Sequence, residues 1–148
     1  MTESDEHFVE FWVVSKTQPL PNISEMLGMV AKRVWKMGDF RPNGKVKHRD
    51  HGWVAISSVS PKAEPEEQLD TLLDLLEAKQ ESVIDLSNRF DCSILFASYI
   101  HTNYHFGIDL SHETLDRIVA LRLSITSDFH VFGSSLEVLR DSQNDTRK

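Results

Sequence analysis

An α+β two-layer sandwich, a mainly antiparallel five-stranded sheet with helices on one face, is the fold class that this sequence predicts. Three observations point to it. Short runs rich in aromatic and β-branched residues alternate with amphipathic stretches, and one of those stretches, Pro65 to Phe90, is long enough to cover a sheet. The connections between them carry Pro, Asn and Gly turn signals. A chain of 148 residues suffices for one core, and the expected single domain runs over residues 1–133, with a helical turn and a disordered polar tail over 134–148.

His7 to Ser15 opens the sheet. Both of its faces, His7, Val9, Phe11, Val13 and Phe8, Glu10, Trp12, Val14, are largely apolar, which fits a central strand. After Pro19 and Pro21, Asn22 offers an N-cap oxygen with Glu25 three residues on, starting a short helix that carries Ile23, Met26, Leu27 and Val30 and runs toward Val34 past the weakening Gly28. A loop over Met37 to Gly44 follows, then a basic stretch and a strand over Gly52 to Val59.

Pro65 to Phe90 reads as one helix of about 37 Å, with Leu69, Leu72, Leu73, Leu76, Val83, Leu86 and Phe90 on its apolar stripe. Pro65, Glu66 and Glu67 suit its first turn. Beyond it, Cys92 to His101 and Tyr104 to Leu110 read as two strands of a tight hairpin around Thr102-Asn103. Ser111 caps a helix with Leu115, Ile118 and Val119, and Ser124 to Phe132 alternates as the last strand. The predicted order is β-α-β-α-β-β-α-β, with a split βαβ element of ferredoxin-like kind in the second half.

Charge is unevenly spread. The net charge is −7, which argues weakly against general nucleic-acid binding. Lys32, Arg33, Lys36, Arg41, Lys45, Lys47 and Arg49 stand against Asp39 alone, whereas Glu64 to Asp91 holds nine acids against Lys79 and Arg89. One acidic helix face and one basic loop are therefore expected. Cys92 is the single cysteine, the leader is acidic, and no apolar run reaches the length of a membrane helix. A cytoplasmic protein without a membrane partner is the expectation.

The chain resembles an uncharacterised bacterial family, the domain of unknown function number 4279. Three stretches carry the likeness: Lys32-Arg33-Val34-Trp35-Lys36-Met37-Gly38-Asp39; Trp53 to Ser58 leading into the Leu-rich helix; and Gly107-Ile108-Asp109-Leu110-Ser111-His112-Glu113 followed by a helix and a strand with Asp128. They span nearly the whole chain in order. The stretch Lys45 to Arg49 lies outside the pattern. The resemblance implies an α+β fold and supplies no reaction or catalytic residues to carry over.

No catalytic motif stands out. There is no GxSxG elbow, no GxxxxGK[ST] or GxGxxG loop and no HExxH. Cys92 opens an apolar strand, where a thiol serves packing, and Ser111 is explained as a cap. His101, His105, His130 and Asp128 would approach one another if the hairpin paired beside the last strand, but isolated strand histidines are more often hydrogen-bonded side chains than ligands. No metal, cofactor or catalytic residue is expected.

Two function classes follow. The leading expectation is a non-catalytic binding module, in its most concrete form an immunity protein that neutralises a basic toxin effector through the acidic helix positions Asp70, Asp74, Glu77, Glu81 and Asp85. The alternative is a domain, ligand-binding or catalytic, with a pocket for an anionic small molecule near Arg33, Trp35, Lys36 and Trp53, where aromatics flank the basic loop. Oligomeric state is left open by the sequence.

Overall fold

Ten residues that are apolar on both faces need neighbours on both sides, and β1 (Glu6–Ser15) takes the centre of the sheet. In this computed structural model, which describes residues 4–101 and 107–132, the strand order is β2-β3-β1-β4-β5. The remaining strands are β2 (Arg33–Trp35), β3 (His51–Ile56), β4 (Asp91–Ile100) and β5 (Ser124–Val131). Four helices, α1 (Ile23–Leu27), α2 (Pro65–Glu77), α3 (Gln80–Arg89) and α4 (His112–Ala120), contribute to one core with the sheet.

The sheet is mixed, which corrects the expectation of a mainly antiparallel one. β1 pairs antiparallel with β3 and β4, and β2 antiparallel with β3, but β4 and β5 run parallel. The element order differs as well. The anticipated hairpin after β4 is not formed: Gly107 to Leu110 is not strand, and the chain instead passes through α4 to return parallel to β4. The rest of that hairpin, Thr102 to Phe106, lies outside the described residues, as do the helical turns expected around Leu136 and Leu139. A split βαβ arrangement does occur, but elsewhere: β3 and β4, joined through α2 and α3, are both antiparallel to β1, which lies between them.

Alternation along the strands separates two faces. His7, Val9, Phe11 and Val13 of β1, with Trp53 and Ala55 of β3 and Cys92, Ile94 and Phe96 of β4, point to the helices. There they meet Leu69, Leu72, Leu73 and Leu76 of α2 and Val83 and Leu86 of α3, all at most 1% exposed. Each such leucine contributes about 1.5–3 kcal/mol by leaving water.

The long helix is broken. Ala78 ends α2 and Lys79, at φ −126°, starts α3. No core position falls between Leu76 and Val83, so nothing apolar holds the chain straight there. α1 is also shorter than expected, because Gly28 turns left-handed at φ 62° directly after Leu27. Val30, expected on its apolar face, is instead 91% exposed, and Arg33 to Trp35 is strand.

Gln68 ties α2 to the sheet where β1 outruns β3. Its Oε1 accepts from Val9 N at 3.3 Å, and its Nε2 donates to the carbonyls of His7 at 2.7 Å and Ala63 at 3.1 Å. The amide thus replaces a missing ladder rung for backbone groups whose unpaired burial would cost about 1–3 kcal/mol each. Among the described residues no helix is long and apolar enough to cross a membrane.

Candidate functional site

All four described helices lie on one side, so that among the described residues no helix covers the second face of the sheet, and this face carries a buried acid with its cations and aromatic rings. Glu10 of β1 is 3% exposed at its centre. Its carboxylate accepts from Trp12 Nε1 at 3.0 Å and from Lys32 Nζ at 2.5 Å, and Arg33 approaches within 4.0 Å. A buried charge of this kind persists only when paired, because losing one partner of such a set costs about 3–5 kcal/mol.

Around Glu10 the aromatic side chains form a belt that crosses the sheet. At the β2 end Trp35 stacks on His48, with ring centres 5.0 Å apart, and meets Trp12 edge-on at 5.6 Å. Arg33 lies over both indoles, 5.1 Å from Trp12 and 5.7 Å from Trp35. Lys32 sits 4.5 Å above the Phe8 ring, and Phe8 meets Tyr99 of β4 edge-on at 5.8 Å. Tyr99 then stacks on His130 at 4.9 Å and His101 on Phe132 at 4.7 Å. Cation–π contacts and the Glu10 pairing fix Lys32, just before β2, and Arg33, its first residue, on this face.

Local sequence explains the geometry. Arg33 and Trp35 alternate with Val34, so both reach the open face. Trp35 can lie flat only because Gly52 is opposite; a Cβ there would overlap the indole ring. Asp50 accepts from Trp35 Nε1 at 2.8 Å and locks its orientation. The basic loop is ordered too: Phe40 bridges to Lys47, Arg41 N donates to Val46 O at 2.7 Å, and Gly44 makes the turn at φ 70°.

The four residues of the alternative site divide between two places. Arg33 belongs to the belt around Glu10, which walls an open cavity of about 590 Å³ with Phe8, Trp12 and Tyr99. Trp35, Lys36 and Trp53 line a separate cleft of about 570 Å³ at the β2 edge. Trp53 itself is a core residue, 3% exposed, with its Nε1 donating to Ser24 Oγ at 2.9 Å.

The acidic positions are not all open to a partner. Arg117 of α4 reaches Asp70 at 2.5 Å and Asp74 at 2.7 Å, and also pairs with Glu77. Glu77, Asp70 and Asp74 raise the pKa of a guanidinium that is charged in any case. Asp85 pairs with Arg89 at 3.1 Å along α3, and Glu81 is exposed. The ridge therefore works first as a clamp between α2 and α4. Of the histidines weighed as ligands, His130 bonds Asp128 at 3.2 Å, and His105 lies outside the described residues. No three His, Cys, Asp or Glu side chains among the described residues are grouped to hold a metal.

Sequence reasoning named Trp35 and Arg33 but missed Glu10, Trp12, Phe8 and Tyr99 as one site. A signal was present, since a glutamate inside a strand apolar on both faces is a buried charge in need of partners. The partners themselves, Lys32 and Arg33, lie more than twenty positions away and no local pattern links them to it.

A family model described as a domain of unknown function, DUF4279, matches residues 5–132. No curated protein and no solved structure matches.

Proposed function

The chain belongs to the DUF4279 family, and we propose that it is a non-catalytic protein-binding module whose partner docks on the open face of the sheet. The observation that carries this reading is the aromatic and arginine belt around buried Glu10. Trp, Tyr and Arg are the residues that dominate interface energies, above all where they are held rigid and desolvated. Here Trp12, Trp35, Tyr99 and Arg33 are oriented by fixed neighbours before any partner arrives, which lowers the ordering cost of binding.

A toxin effector blocked by occupation is the concrete partner class, in keeping with a small acidic chain that has one cysteine and no catalytic motif. The acidic helix positions then serve long-range attraction of a basic partner more than direct contact, since Asp70, Asp74 and Glu77 already hold Arg117.

The test is co-purification of a tagged chain from its native lysate in three forms: wild type, a sheet-face variant with Arg33→Ser and Tyr99→Ser, and a ridge variant with Glu81→Ser and Asp85→Ser. A partner at stoichiometric yield on the wild type and the ridge variant, lost from a sheet-face variant that still unfolds cooperatively, supports the reading. Retention by the sheet-face variant, or a wild type that purifies alone, rejects it.

A further inference from the structure

At the β2 edge, the loop before α1 passes over the ends of β2 and β3 and leaves a cleft of about 570 Å³, inside the roughly 300–1,000 Å³ range of small-molecule sites. Its walls are Pro19, Leu20, Val34, Trp35 and Trp53. They are set without a ligand: Trp53 is pinned by Ser24, and Trp35 by Asp50 and His48. Proline on the loop side restricts the remaining wall.

The polar groups of this cleft have a consistent sign. Ser24 is engaged by Trp53, and Asn22 caps α1 while donating to Glu25 at 3.3 Å. His51 accepts from Met37 N through Nδ1 at 3.2 Å, so its neutral ring carries the proton on Nε2 and presents a donor there. Lys36 is exposed, and its ammonium has no ion-pair partner among the described residues, the neighbouring Asp39 carboxylate being bonded to Lys36 N at 2.8 Å. No acidic side chain lines the cleft. Two unspent donors beside an apolar pocket call for a single anionic acceptor on an apolar body.

From this juxtaposition we propose that the cleft at the β2 edge binds a small monocarboxylate, its aromatic or aliphatic body against Val34 and Leu20 and its carboxylate on Lys36 and His51. The cleft shares the Trp35 wall with the belt around Glu10 but not its donors, since Lys32 and Arg33 are already paired with that carboxylate. It therefore stands or falls independently of the docking surface proposed above.

Phenylacetate, octanoate and phenylacetamide titrated into the purified chain, read by tryptophan fluorescence, test the proposal. Saturable binding of phenylacetate or octanoate in the millimolar range or tighter is expected, with the amide about tenfold weaker. Lys36→Gln should weaken the carboxylates about tenfold and leave the amide unchanged. Val34 is 63% exposed at the wall, so Val34→Trp should block all three at unchanged melting temperature. Equal affinity for acid and amide, no saturation in the millimolar range, or indifference to Lys36→Gln overturns the proposal. If Val34→Trp proves unstable, the Lys36→Gln result decides.

Discussion

Glu10 sets the logic at the residue scale: its carboxylate lies on the central strand, hydrogen-bonded to Trp12 and ion-paired to Lys32, and the aromatic belt is arranged around it. Its importance was half legible in the sequence, because one acid in an apolar strand is conspicuous, whereas its cations come from the start of β2 and the residue before it, a stretch too short for periodicity to reveal. Gly52 is similar, an ordinary glycine until Trp35 is found lying across it. Cys92 behaves as its sequence position suggested. It is 6% exposed, and burial, opposed by a hydrogen bond from Ser87 and aided by Asp91, pushes its thiol from 9.0 up to about 11. Between those values the folded thiol keeps a proton that the unfolded one has lost, so its contribution to stability is whole below pH 9.0 and falls as pH rises toward about 11. Urea denaturation across that interval should show wild type losing more stability than Cys92→Ala. Parallel losses would remove the thiol from the account.

At the scale of elements, strong periodicity located the strands β1, β3, β4 and β5 and the helical cover, but not where helices stop. The Leu69 to Leu86 stripe stays in phase across the Ala78–Lys79 break, so a sequence pattern cannot see it. α1 ends because the left-handed Gly28 outweighs the apolar Val30 beyond it. The acids of α2 looked like a bare face because the cation that meets them, Arg117, is forty and more residues away. Three largely solvent-exposed pairs at about 0.2–1 kcal/mol each make this clamp worth about 1–2 kcal/mol. Arg117→Met should therefore lower the melting temperature by about 3–6 °C. The loss should shrink at high salt and in a background of Asp70→Asn, Asp74→Asn and Glu77→Gln, as scanning calorimetry would read. An undiminished loss in that background would mean that Arg117 acts through packing alone.

For the whole molecule, the two-layer α+β class was readable from composition and alternation, but the parallel β4–β5 pairing was not. Thr102-Asn103 between two apolar runs looks like a hairpin turn, and only the return of the chain through α4 decides against it. Such pairings join residues about thirty apart and leave no local trace. The consequence for function is that among the described residues one face of the sheet has no helices over it, and the buried acid, the two cations and the aromatic rings are concentrated there. With a partner captured on the chain, hydroxyl-radical footprinting measures directly which face is covered. Protection of Phe8, Trp12, Trp35 and Tyr99 is expected in the complex, with Leu75 on the helical side reacting as before. Protection of Leu75 and the helical layer, with the four aromatics as reactive as in the lone chain, would contradict it.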